Sequence, residues 1–307
     1  MKLTAKVNRI VNEHLDGEIS GGWRSVWKVL AEEIERVTAQ DDDTLKLVRQ
    51  NRLHEALSDD QWLVAKFSMC SPLDPLNAIS DGICRRLWKD SNVELALRLS
   101  FSARHHWVAS HFAGALDELW RPMLMALAAH DHLALNRLIE LWQRSNEKPS
   151  SRSYAQICDA LQAIVTGDRD LLCQTVGTFA KGNRPAYVSS VREVICSIAN
   201  RDAGRFAEGM NRMLRSYRSY MFGDDVMGLI DPHAVGLYEL AHKRIPEVTA
   251  SFDVQQKLPW DREYFQWLQN CDDIQDCFEP FDAPDWMRHS IFEMDGLEWA
   301  LSVRAKR

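Results

Sequence analysis

One pattern, written three times between Met123 and Leu214, restricts what this chain can fold into. Aligned on Asp131, Asp168 and Asp202, 37 and 34 residues apart, each copy carries a branched aliphatic residue four positions before the aspartate: Leu127, Ile164, Ile198. A small residue stands immediately before that one: Ala126, Ala163, Ser197. After the aspartate, apolar residues recur at offsets of four (Leu135, Leu172, Phe206), eight (Ile139, Val176, Met210) and eleven (Trp142, Phe179, Met213). Those offsets fall on one face of a helix, so the second half of each copy predicts a helix with a single buried stripe. The short aspartate carboxylate can accept free backbone N–H groups at the start of that helix, and replacing such a cap by alanine is expected to cost roughly 0.5–2 kcal/mol. Each copy therefore reads as helix, tight turn, helix. A hairpin of this size cannot bury its apolar face alone, so a period of about 35 residues predicts neighbouring hairpins stacked into an array.

The rest of the chain agrees with an all-α fold. Pro75 is placed to open a helix with Asp74 as its cap, and that helix carries Leu76, Ile79, Ile83 and Leu87. Helical pattern runs from about Val93 through Phe101 and again from Trp107 to Trp120, where Pro122 is expected to interrupt it. Gly182 to Pro185 reads as a stop and restart, Pro232 opens a helix through Ala241, Pro246 closes it, and Asp261 to Leu268 forms another. Upstream, Trp23, Trp27, Leu30, Ile34 and Val37 mark an amphipathic helix, and Trp299 falls in a last one. No segment alternates with β-branched enrichment, so no substantial sheet is expected. Three regions are distinguished, 1–106, 107–245 (the hairpins) and 246–307, and are expected to form one continuous array.

Composition narrows the function classes. A chain of 307 residues with 46% hydrophobic content can bury a sizeable core, and it has no run of eighteen apolar residues to cross a membrane. The first residues lack the apolar stretch of a secretory signal, so a cytoplasmic location is expected. A net charge of −7 argues against a general nucleic-acid binder and suits a basic partner. Seven cysteines, none in a C-x-x-C pair, read as mostly buried, reduced thiols, and the eleven tryptophans as fillers of helix interfaces.

Candidate chemistry is sparse. Ser25 to Lys28 spells S-x-x-K without its companion motifs. His105, His106 and His111, and His130 with His132, lack the spacing of converging metal ligands, as do Cys271, Cys277 and His289. The first two groups read as turn or interface histidines. No phosphate loop, dinucleotide fingerprint or metalloprotease helix occurs. Neither catalytic residues, nor a metal, nor a cofactor are expected. The strongest local bias lies from Cys271 to Glu298, where nine carboxylates accompany one arginine. Within it Asp272, Asp273, Asp276, Glu279, Phe281, Asp282, Asp285 and Trp286 form a candidate docking surface, with aromatic anchors for buried area and an acidic field to speed encounter with a basic partner.

Five segments together carry a resemblance: the hairpins ALAAHDHLALNRLIELW, AIVTGDRDLLCQTVGTF and SIANRDAGRFAEGMNRML, then DPHAVGLYELAHKRIPEV, then KLPWDREYF. Over about Trp107 to Phe265 the chain resembles the immunity protein 49 family of bacterial polymorphic toxin systems. The resemblance implies a helical, non-catalytic protein that binds a cognate toxin and blocks it. The alternative expectation is a helical-repeat scaffold or regulator with a peptide or protein ligand in its groove; an enzyme with a dispersed site is a third.

Overall fold

The structure, a computed structural model, describes residues 75–113, 116, 119–144, 152–179, 185–220, 226–254, 258–274 and 293–295. The expectations for residues 1–74, and those for 275–292 and 296–307, lie outside these. The described residues are all-α and contain no strand. In chain order the helices are α1 (Pro75–Lys89), α2 (Asn92–Ala113), α3 (Trp120–Ala128), α4 (His132–Arg144), α5 (Arg152–Thr166), α6 (Arg169–Gly177), α7 (Ala186–Asn200), α8 (Ala203–Tyr220), α9 (Pro232–Arg244), α10 (Pro246–Thr249) and α11 (Arg262–Leu268).

The three copies are the hairpins α3/α4, α5/α6 and α7/α8, and their turns share one construction. The residue before each aspartate is left-handed: His130 at φ 54°, Gly167 at 75°, Arg201 at 54°. The aspartate N–H then reaches back to the carbonyl of the small residue, Ala126, Ala163 or Ser197, at 2.9 Å in each case. This is the bond that closes a helix C-terminus around a left-handed residue. The same aspartate begins the next helix: Oδ1 accepts from Ala134 N in the first turn and Leu171 N in the second, both at 2.9 Å, and from Arg205 N in the third at 3.0 Å. One residue thus ends one helix and starts another. Asp90 (φ 55°) followed by Ser91, whose hydroxyl accepts from Glu94 N, makes a looser version between α1 and α2.

The predicted stripes are largely buried. Ile139, Trp142, Leu172, Phe206, Met210 and Met213 belong to the core, while Leu135, Val176 and Phe179 are partly buried against it. The segment after the repeats does not simply add a further layer. Helix α9 lies against α3: Trp120 meets His233 with ring centroids 5.6 Å apart, and His130 Nε2 lies 2.8 Å from Glu239 Oε1. The two helices therefore run parallel. Between those contacts Gly236 faces Leu124 so closely that an added Cβ would lie 2.0 Å from the Leu124 carbonyl oxygen. Both helices are buried along nearly their whole length, so they form the central pair around which the hairpins pack. Trp120 also meets Tyr154 and Tyr187, near the starts of α5 and α7, while at their far ends Arg244 donates to the Val165 carbonyl and Arg201 lies 3.5 Å from Glu247, so these first helices share the direction of α3 and α9. All three repeat turns consequently gather with the C-terminal end of α9 at one edge of the molecule.

Some boundaries differ from those read off the sequence. The two stretches expected at 93–101 and 107–120 are one helix to Ala113, and Trp120 begins another. Pro122 does not interrupt a helix; it stands in the first turn of α3, where its missing N–H has no intrahelical partner to lose. Pro246 likewise opens the short α10 rather than only closing α9. Pro75 and Pro232 open helices as expected, and the helix expected at Asp261 to Leu268 is α11; the structure adds Asp231 and Asp261 as the caps of α9 and α11.

The first turn has an added tie that separates it from the other two. Arg104 of α2 donates from Nε to Asp131 Oδ2 at 2.6 Å and from a terminal nitrogen to Oδ1 at 3.0 Å, with both side chains fully buried, and Ser100 donates to the same carboxylate. Removing one partner of such a pair strands a charge in the core and costs about 3–5 kcal/mol. The uniform capping cost expected from sequence therefore holds for Asp168 and Asp202, whose cap bonds are exposed, but not for Asp131. Equilibrium denaturation should rank Asp131→Ala well below Asp168→Ala and Asp202→Ala in stability, with the latter two each losing roughly 0.5–2 kcal/mol; three equal losses would contradict the pairing. By the same method Gly236→Ala should lose about 1–3 kcal/mol or more through overpacking. Gly177→Ala, where an added Cβ meets nothing within 4 Å, should be neutral or slightly stabilising.

Candidate functional site

Two clefts open side by side on the turn edge. The first, of about 210 Å³, has a floor of Leu127, Leu135, Val165 and Leu240 and a rim that includes His132, Asn136, Lys243 and Arg244. The second, of about 290 Å³, has a floor of Ile164, Leu172, Ile198 and Ile245 and a rim of Asp168, Arg169, Arg201 and Arg244. Arg244 lines both and divides them; its guanidinium donates to the Val165 carbonyl, which holds it across the boundary. The repeat explains the groove. Each left-handed turn ends its first helix at the same level, so Leu127, Ile164 and Ile198, one per copy, line successive positions of the floor.

The carboxylates at this edge are already engaged. Asp131 is held by Arg104, and Asp168 caps α6. Glu239, side chain almost fully buried, faces His130 at 2.8 Å, receives Gln269 and has Lys243 within 3.2 Å. Burial works against its charged form, but His130, Lys243 and Gln269 outweigh it and hold its pKa below the ordinary carboxylate value. His130 is fixed on both ring nitrogens, with Nδ1 2.6 Å from the Cys271 carbonyl. It is a turn histidine, as its position beside Asp131 suggested, and His132 stacks on it with centroids 5.9 Å apart. The cations are free to face outward by comparison: Arg201 has Glu247 at 3.5 Å, and among the described residues no carboxylate pairs with Arg169 or Arg244.

Of the predicted docking residues, Asp272 is exposed and Asp273 half-buried. Asp276, Glu279, Phe281, Asp282, Asp285 and Trp286 lie outside the described residues, as do Ser25, Lys28, Cys277 and His289. Their stretch leaves the described fold beside the groove, where Ile274 N donates to the His130 carbonyl at 3.3 Å. His105 and His106 have ring centroids 6.2 Å apart, and burial, aided by His106, lowers the His105 pKa to about 4. Among the described residues no three metal-ligating side chains converge, and no helix is long and apolar enough to cross a membrane. The cysteine expectation needs correction: Cys84 and Cys158 are buried, but Cys173 is exposed and Cys196 only half-buried, because α6 and α7 turn those faces outward. Trp88, at 48% exposure, is likewise no interface filler among the described residues.

A second polar cluster lies at the opposite end of the central pair. Asp231 caps α9 through His233 N and Ala234 N, both at 3.1 Å, and accepts from the Tyr187 hydroxyl at 2.9 Å. Asp231, Tyr187 and His233 are all essentially solvent-free, so the trio joins α7 to α9 and is closed to a substrate. Burial pushes the Asp231 carboxyl up to about 7, against the opposing effect of its backbone and Tyr187 donors, and pushes His233 well down. Compared with family models, with curated proteins and with solved structures, the chain matches none.

These shifts act on stability in opposite senses. The folded state holds a proton on Asp231 that the unfolded chain releases near the ordinary value of 3.8, so this group's contribution is lost as pH rises from about 4 to about 7. His105, neutral in the fold and protonated in the unfolded chain, loses its contribution as pH falls through 6.5 toward about 4. Asp231→Asn keeps the cap acceptor and removes only the first effect. Denaturation midpoints across this range should show the variant gaining on the parent steadily as pH rises, and a constant difference would place the Asp231 titration elsewhere.

Proposed function

We propose that this chain is a non-catalytic binding protein, an immunity protein of the kind its repeat region resembles, which acts in the cytoplasm by occluding a cognate protein toxin. The observation that supports this most is how charged groups are divided between interior and surface. The buried carboxylates Asp81, Asp131, Asp231 and Glu239 all have partners inside the fold, whereas Arg169, Arg201 and Arg244 gather at the rim of a shallow apolar groove. An apolar floor with a charged rim is the anatomy of a surface that holds another protein. Turnover would instead call for polar groups converging within hydrogen-bond reach of a reacting atom. The acidic stretch from Asp272 to Trp286 then supplies the field that steers a partner with a basic surface.

The competing reading, a scaffold with a peptide laid along its inner helices, has less room here. Helix α9 lies on α3 and α5, where such a ligand would sit. Neither nucleic acid nor membrane is proposed as a partner.

The test is expression of the neighbouring gene's product with and without this chain. Growth arrest by the neighbour alone, relieved by co-expression, together with a stable complex on gel filtration, is the expected result. A neighbour that is harmless and does not bind would remove the immunity reading.

A further inference from the structure

We infer that the turn-edge groove takes an extended, acidic protein segment that presents two large apolar side chains on either side of a carboxylate. The inference rests on the binding-protein reading and specifies the part of the partner that enters the groove, the partner's basic surface being the part that faces the acidic stretch from Asp272 onward. Its first ground is the shape of the groove, two apolar-floored clefts of about 210 and 290 Å³ that share a single wall. That wall is Arg244, fixed at the end of α9 by its bond to the Val165 carbonyl, so a segment crossing from one cleft to the other must pass over a guanidinium. A carboxylate at that point would meet the planar donor face that suits it best.

The second ground is charge. The exposed charges around the second cleft are Arg169, Arg201 and Arg244 against Asp168, whose Oδ1 is already held by Leu171 N. At the first cleft Lys243 joins Arg244, while Asp131 and Glu239 are turned inward to Arg104 and His130. Lys243 and Arg201 each have one carboxylate in reach, Glu239 and Glu247, so Arg169 and Arg244 are the cations with most to gain from an acidic ligand. A basic segment would face like charges there, which sets specificity as well as attraction.

The probe is a fluorescein-labelled peptide with two phenylalanines spaced across three residues and glutamates between and around them, titrated into the full chain by anisotropy. A second peptide replaces every glutamate by glutamine, and a single-stranded oligonucleotide serves as a non-protein polyanion. The expected result is saturable, salt-sensitive binding of the acidic peptide, at least tenfold weaker for the glutamine version and for Arg244→Glu, with the fold retained and the melting temperature lowered by only a few degrees, since Arg244 is exposed and gives up one surface bond and a favourable place at the helix end. Equal binding of the two peptides, no loss in Arg244→Glu, no binding of the acidic peptide, or tighter binding of the oligonucleotide would each overturn the assignment. The neighbouring gene's product separates this from the immunity reading. A neighbour that is bound and neutralised equally well by Arg244→Glu leaves immunity standing and removes the groove as its site. Peptide binding that meets all the criteria, beside a harmless and unbound neighbour, leaves the groove and removes immunity.

Discussion

The pairing of Arg104 with Asp131 is the constraint on which the rest of the structure depends. Asp131 does three things at once: it closes α3, opens α4 and neutralises a guanidinium that would otherwise be stranded in the core. An arginine with no solvent exposure tolerates few alternative positions, because losing its bidentate partner costs several kcal/mol. Arg104 thereby sets the position of α2 against the first hairpin. The first turn, fixed in this way, carries His130, and His130 reaches both Glu239 of α9 and the Cys271 carbonyl. From one buried ion pair the contacts run outward to the helix that closes the fold and to the segment that leaves it.

The second organising feature is the close parallel contact of α3 and α9. Because Gly236 has no Cβ, the α9 backbone approaches the Leu124 carbonyl directly, and van der Waals contact along two largely buried helices takes the place of interleaved side chains. This turns a set of hairpins, which could have continued as an open array, into a closed body with an aromatic end around Trp120 and Tyr187 and a charged end at the turns. The charged end owes its character to helix geometry. Basic residues in the last turn of α9, Lys243 and Arg244, are favoured there by the helix dipole, and the same position brings them to the groove.

How much of this was legible in the sequence follows from the range of the interactions. The capped turns were readable because their signals are local: an aspartate with apolar residues at fixed offsets specifies a helix start whatever surrounds it. Gly167 is the residue type that favours a left-handed turn, but His130 and Arg201 adopt the same conformation without it, so the shared left-handed position emerges only from the structure. The Arg104 pairing was not legible, since nothing near Arg104 in sequence marks it as buried. Nor was the groove. Its lining comes from turns separated by dozens of residues and from the end of α9, and Arg244 reads in sequence as one more charge near a helix terminus. The expected docking stretch was chosen on local charge density, the one property a sequence displays openly, and just Asp272 and Asp273 of it fall among the described residues.

The turn edge is proposed as the working face of this protein. Amide hydrogen exchange on the chain alone and in complex with the neighbouring gene's product tests it most directly, because it reports position by position without presuming any side chain's role. The account predicts added protection at the three turns and the end of α9, around residues 127–135, 164–172, 198–205 and 240–248, with little change at the aromatic end around Trp120 and Tyr187. Protection confined to the aromatic end or to α1, with the turn edge exchanging as in the free chain, would contradict it.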